Sequence, residues 1–141
     1  MKRLISCLLS ALISAFSLSA TATDGQLAAD EAYAAAERGE ILIIDVRTPA
    51  EWRETGIPKG AKAVEFGASN FLDRMVEAVA SDRSRPVALI CRSGNRSTRA
   101  VDTLRTNGFS HVLNIREGMS GGSFGPGWLK RGLPIQEEVT R

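Results

Sequence analysis

Short aliphatic runs alternate with amphipathic segments along the chain. Three runs are apolar or nearly so, at residues 41–44, 87–90 and 112–115. They lack the alternation of polar and apolar residues that marks a strand with one solvent-exposed face, so they predict strands that are buried on both faces. A further short strand is predicted at 61–64. Helices are predicted at 30–38, 48–53, 70–80 and 97–107, where apolar residues recur at helical spacing or strong helix formers dominate.

Several ends of the predicted helices are marked by their residue types. Thr48 is a capping residue followed by a proline, Ser97 is expected to cap the fourth helix, and Gly39 and Gly108 stand where two helices should stop. Strands that alternate with helices indicate a single α/β domain whose central parallel sheet carries helices on both faces. Ligands of such folds bind at the carboxyl ends of the strands.

The first 22 residues have the pattern of an export signal. Lys2 and Arg3 precede an apolar stretch interrupted by serines, and Ala20 and Ala22 are small residues at the positions that a signal peptidase reads. We expect cleavage after Ala22, a mature domain at 23–141, no stable membrane anchor after cleavage, and a periplasmic or secreted location. The alternative is a retained anchor, for which the stretch is short and polar.

The charge and the cysteine content of the chain limit the classes of partner and cofactor that it is expected to bind. The chain has 18 basic and 16 acidic residues, and loss of Lys2 and Arg3 with the signal leaves 16 of each. A neutral domain lacks the excess positive charge that drives binding to nucleic acid or to an anionic membrane. Cys7 leaves with the signal, so Cys91 would be the only thiol. One cysteine and one histidine, His111, cannot form the usual zinc site, and we expect neither a metal nor an organic cofactor.

A cysteine stands where a predicted strand turns into a predicted helix. Nearby positive charge and a helix N-terminus both favour a thiolate, which is the reactive form of the side chain. Gly94 permits backbone angles that other residues avoid, and loop amides can point at an anion. The candidate site residues are the nucleophile Cys91 and the loop residues Arg92, Ser93, Gly94, Asn95, Arg96 and Ser97, with Asp45 and Arg47 at the neighbouring strand end as supporting residues.

The motifs of the chain resemble those of the rhodanese family of sulfurtransferases, as a single-domain member. They lie at 45–52, 56–61, 91–97 and 118–134, and the resemblance spans about 27–135. It implies that Cys91 takes a sulfane sulfur from a small anionic donor such as thiosulfate, holds it as a persulfide and passes it to cyanide, a thiol or a protein.

The residues around the cysteine then have expected roles. Arg92 and Arg96 would attract the anionic donor and stabilise the thiolate, while Asp45 and Arg47 would brace the loop by hydrogen bonds. One position departs from the family pattern, because Thr55 stands where members commonly carry histidine.

The sequence is also compatible with two other functions. One is a phosphatase or arsenate reductase, whose related loop is one residue longer. A cysteine-based phosphatase would need its arginine six positions after the cysteine, whereas Arg96 comes at five and Ser97 at six. A non-catalytic module of the same fold would present its crevice to a partner protein, with an incidental thiol.

Overall fold

A computed structural model describes residues 25–138 of the chain, so the predicted signal at 1–22 lies outside the described residues. The described part contains, in chain order, β1 Gln26–Leu27, α1 Ala29–Glu37, β2 Leu42–Asp45, α2 Pro49–Thr55, β3 Ile57–Pro58, β4 Lys62–Ala63, α3 Phe71–Ala78, β5 Val87–Ile90, α4 Asn95–Thr106, β6 Val112–Ile115, α5 Gly127–Lys130 and β7 Ile135–Gln136. None of the helices within 25–138 is both long enough and apolar enough to span a bilayer.

Five of the strands form one parallel sheet in the order β1-β6-β5-β2-β4. β3 and β7 pair separately as an antiparallel ribbon. The predicted α/β fold with a central parallel sheet is confirmed. Because β5 is the middle strand, Cys91, which follows it directly, lies at the centre of the carboxyl edge of the sheet.

Helices cover both faces of this sheet, as predicted. On one face Ile44 of β2 packs in a cluster with Leu104 of α4, and on the other face Ile43 packs in a cluster with Trp52 of α2 and Trp128 of α5. All five side chains are buried, and each fully buried aliphatic side chain stabilises the fold by roughly 1.5–3 kcal/mol. Burial on both faces explains why the strands show no polar alternation.

Helix α4 begins two residues earlier than the sequence predicted. Gly94 takes a left-handed conformation, with φ at 101°, and Asn95 is the first helical residue. The prediction that Ser97 caps this helix is therefore wrong: Ser97 lies within the first turn and is fully buried. The predicted cap of α2 is confirmed, because Thr48 Oγ1 accepts a hydrogen bond from the Glu51 amide at 3.3 Å.

Candidate active site

The Cys91 sulfur lies inside its loop, and the residue is only 1% exposed. The Gly94 amide donates to Sγ across 3.1 Å, and Ser97 Oγ lies 3.4 Å from Sγ. Burial raises the pKa of the Cys91 thiol, but hydrogen bonds from the Ser97 hydroxyl and from the backbone amides of Ser97, Gly94 and Ser93 lower it further than burial raises it. The net pKa lies below the ordinary value, so the loop favours an anionic sulfur.

The Ser97 hydroxyl can serve both protonation states of the thiol. In the structure Cys91 donates to Ser97 Oγ, and Ser97 donates to the Gly94 carbonyl at 3.1 Å. A thiolate has no proton to donate, so Ser97 must then donate to the sulfur. The Gly94 carbonyl also accepts from Thr98 Oγ1 at 2.7 Å, and it therefore stays paired when Ser97 turns towards the sulfur.

The segment after β6 binds the backbone of the cysteine loop through hydrogen bonds. The Met119 amide donates to the Cys91 carbonyl and the Ser120 amide to the Arg92 carbonyl, each at 2.9 Å. Between β6 and these amides, Gly118 has φ at 68°, and a side-chain carbon there would lie 2.8 Å from the Cys91 carbonyl oxygen and closer still to that of Arg92. Both the backbone angle and the lack of space require glycine at this position.

Arg96 is bound by a carboxylate of α2. Its two terminal nitrogens donate to the two carboxylate oxygens of Glu51 at 2.6 and 2.7 Å. Glu51 Oε2 also accepts from the amide and the hydroxyl of Thr48, each at 3.0 Å. The Arg96 hydrogen bonds, with those from Thr48, lower the pKa of Glu51 to about 2 against the opposing effect of burial. Arg96 therefore joins α2 to the cysteine loop, with its charge offset by Glu51.

Asp45 and Arg47 form a buried ion pair at the end of β2, with Nη2 and Oδ2 2.8 Å apart. Asp45 Oδ1 also accepts from Trp52 Nε1 at 3.2 Å, and Arg47 Nη1 donates to Thr55 Oγ1 at 3.0 Å. Thr55, which replaces the histidine expected from the family resemblance, thus binds the guanidinium of Arg47. These hydrogen bonds fix α2 to the sheet, and this bracing reaches the cysteine loop through Glu51.

The other loop side chains face solvent. Arg92, Ser93 and Asn95 are exposed, and the ion pairs formed among residues 25–138 do not include Arg92. The two arginines that flank the cysteine in the sequence therefore differ, because Arg92 is an exposed cation and Arg96 is paired. His111 lies away from the site, exposed at the amino end of β6, where its Nδ1 is 3.1 Å from the Ser84 carbonyl.

A buried carboxylate that the sequence does not predict lies beside this site. Glu117 is 2% exposed and accepts from the amides of Ala29 and Gly127, each at 2.6 Å, and from Arg131 Nε at 3.0 Å. Burial raises the pKa of Glu117, but Arg131 and the two amides lower it by more, so that it lies below its ordinary value. The only local signal is a glutamate directly before Gly118, since Ala29 is 88 positions away.

Comparison with known proteins finds one family. The model of the rhodanese-like domain matches residues 28–123. A sulfurtransferase of Allochromatium vinosum is 35% identical over 100 residues, which cover 71% of this chain and 82% of that protein.

Solved structures are also similar to this chain in fold and in sequence. Rv0390 of M. tuberculosis has a TM-score of 0.65 at 28% identity, over 81% of this chain and 98% of that one. The polysulfide-sulfur transferase homodimer of Wolinella succinogenes has a TM-score of 0.61 at 29% identity, over 80% and 78% of the two chains.

Proposed function

Because the chain belongs to the rhodanese-like family of sulfurtransferases, we propose that it moves a sulfane sulfur from a donor such as thiosulfate to a thiophilic acceptor through a persulfide on Cys91. One observation carries the proposal: the Gly94 amide at 3.1 Å and Ser97 Oγ at 3.4 Å converge on Cys91 Sγ. The Gly94 amide, together with the Ser97 hydroxyl once it turns to an anionic sulfur, stabilises the negative charge that the thiolate and the persulfide both carry.

The first half-reaction loads the cysteine. The Cys91 thiolate attacks the outer sulfur of thiosulfate, a bond forms between Sγ and that sulfur, and the sulfur–sulfur bond of thiosulfate breaks. Sulfite leaves with the electron pair of the broken bond. The exposed Arg92 would offset the charge of the incoming dianion and of the leaving sulfite.

The second half-reaction unloads the cysteine. Cyanide attacks the outer sulfur of the persulfide, a carbon–sulfur bond forms, the sulfur–sulfur bond to Cys91 breaks, and thiocyanate leaves. A thiolate acceptor would react in the same way and leave as a persulfide. Each displacement returns the electron pair of the broken bond to the leaving sulfur, so the cycle consumes no external oxidant or reductant.

The geometry of Arg96 supports sulfur transfer over the use of a tetrahedral oxyanion. A phosphatase or arsenate reductase needs a guanidinium that can bind two oxygens of its substrate. Arg96 uses both terminal nitrogens on Glu51, at 2.6 and 2.7 Å. A non-catalytic module, for its part, would have no use for a loop that lowers the pKa of its thiol.

The mass of the intact mature protein tests the proposal. After incubation with thiosulfate and removal of the donor, we expect a gain of about 32 Da, the mass of one sulfur atom. The gain should be absent in Cys91→Ser and should disappear with cyanide as thiocyanate is released. No gain with either thiosulfate or polysulfide would overturn the proposal, and partner binding that survives in Cys91→Ser would then favour a binding module.

We also propose that the mature domain acts in the periplasm or outside the cell. The charged start, the apolar stretch and the small residues before Thr23 support this location. Protein recovered from a periplasmic fraction should have the intact mass of a chain whose first residue is Thr23. A full-length chain that stays with the membrane would contradict it.

A further inference from the structure

A tight turn beside the cysteine loop carries an exposed aromatic ring. Gly122 and Gly125 hydrogen-bond to each other in both directions, at 2.9 and 3.3 Å, so that Ser123 and Phe124 form the tip. Phe124 is 54% exposed, more than any other large hydrophobic side chain in the described part of the chain.

Arg116 covers one face of the Phe124 ring. Its guanidinium carbon lies 3.7 Å from the ring centroid, within the range of a cation–π interaction. Arg116 also lines the cysteine loop, because a side-chain carbon at Gly94 would lie 3.3 Å from Arg116 Cγ and closer still to the Arg116 carbonyl. Gly94 is the residue whose amide donates to Cys91 Sγ. Arg116 therefore packs against the residue that contacts the reactive sulfur, and Phe124 stacks on Arg116.

Hydrogen bonds fix the turn at both ends. On one side the Ser120 amide donates to the Arg92 carbonyl at 2.9 Å, and on the other the Gly127 amide donates to the buried carboxylate of Glu117 at 2.6 Å. A group that is already held in place loses little conformational entropy when a partner docks. The turn therefore presents Phe124 as a pre-organised anchor.

Two arginine side chains lie on the segments around this anchor. Arg92 is exposed and Arg116 is half-buried, and the ion pairs found within residues 25–138 include neither of them. Both cations are therefore available to an acidic partner. Aromatic and arginine side chains are also the groups that most often dominate the energy of protein interfaces.

We propose that Phe124, Arg116 and Arg92 form a docking rim for a protein thiol whose cysteine is flanked by acidic and apolar side chains. The inference rests on the proposed function, because it names the acceptor of the Cys91 persulfide. The acceptor thiolate attacks the outer sulfur, the bond from that sulfur to Cys91 Sγ breaks, and the acceptor leaves as a persulfide while the Cys91 thiolate is restored.

Two synthetic peptides test the charge of the partner. Each carries one cysteine and a nearby leucine, with aspartate on both sides of the cysteine in one peptide and asparagine in the other. The protein is first converted to its persulfide, and kcat/KM for sulfur loss to each peptide is then measured. We expect the acidic peptide to be preferred about three- to tenfold at low salt, and less at high salt, as exposed ion pairs predict.

Variants separate the charge from the apolar anchor. Arg116→Gln should reduce the preference and Arg116→Lys should largely keep it, because lysine retains the charge. Phe124→Ala should slow both peptides alike, since the ring does not read charge. Arg83→Gln is the matched control, because the Arg83 guanidinium carbon lies 5.9 Å from the centroid of Phe109. The Arg83 carbonyl accepts from the Ser110 amide, so this pair lies before the amino ends of β5 and β6, whereas Cys91 follows the carboxyl end of β5. The control substitution should change neither rate.

Three results would overturn the docking rim. They are equal rates for the two peptides, a preference undiminished in Arg116→Gln, and a wild-type dimer that dissociates in Phe124→Ala, because the ring would then belong to a self-interface. Absence of any persulfide would instead refute the proposed function, and the docking rim would fall with it.

Discussion

The ion pair between Glu51 and Arg96 should stabilise the folded chain, and Glu51→Gln tests its size. The pKa of Glu51 falls from 4.5 to about 2, with Arg96 as the largest cause and the hydrogen bonds from Thr48 adding to it; the difference corresponds to about 3 kcal/mol if taken in full. The two side chains keep 20% and 29% of their exposure. Because water screens such a pair, we expect the free energy of unfolding to fall by about 1–2 kcal/mol at pH 7.

The pH dependence of this effect has a definite sign. The pKa of Glu51 is lower in the folded chain than in the unfolded chain, so folding favours the carboxylate. The stabilisation is present above the unfolded value of 4.5 and is lost as pH falls towards the folded value of about 2. The stability difference between wild type and Glu51→Gln should therefore shrink on acidification. Glutamine can still accept from the Thr48 amide, which preserves the cap of α2.

Urea unfolding at pH 7 and pH 3, at one salt concentration, measures both quantities. Glu54→Gln is the matched control, because Glu54 is exposed on the same helix and is absent from the ion pairs of residues 25–138; it should change stability by less than about 0.5 kcal/mol. A double-mutant cycle with Arg96→Gln isolates the pair. A coupling energy near zero, or a difference that is equal at the two pH values, would refute the reasoning.

Three further substitutions test the surroundings of Cys91. Ser97→Ala should move the pH profile of iodoacetamide alkylation to higher pH, because it removes a hydroxyl that lowers the thiol pKa; an unchanged profile would assign that effect to the amides alone. Gly118→Ala should destabilise the chain by about 3 kcal/mol or more in urea unfolding, whereas Gly60→Ala, at φ 80° with no neighbour within 4 Å, should cost only about 1 kcal/mol. Glu117→Gln should lower the free energy of unfolding by about 2 kcal/mol in thermal unfolding, because the charge that pairs with Arg131 is lost; an unchanged Tm would contradict this.

The sequence predicted those elements whose signal is local. The strands at 87–90 and 112–115 have their predicted bounds, because an apolar run buried on both faces is visible residue by residue. The ribbon of Ile57–Pro58 with Ile135–Gln136 was not predicted, since its two strands have two residues each and lie far apart in the chain. Helix α5 was missed because it is four residues long and begins at Gly127, which disfavours a helix.

The same distinction explains which parts of the candidate site could be read from the sequence. The loop around Cys91 is continuous in the chain, so its residue types pointed to a reactive thiol. Whether an arginine is free to bind a substrate anion cannot be read locally, however, because Arg96 is bound by Glu51, which lies 45 positions away in the chain. Two arginines that look equivalent beside a cysteine therefore have different chemistry. The donors that stabilise the sulfur are the Ser97 hydroxyl and the loop amides, and amides, which every residue except proline carries, act here only through the conformation that directs them.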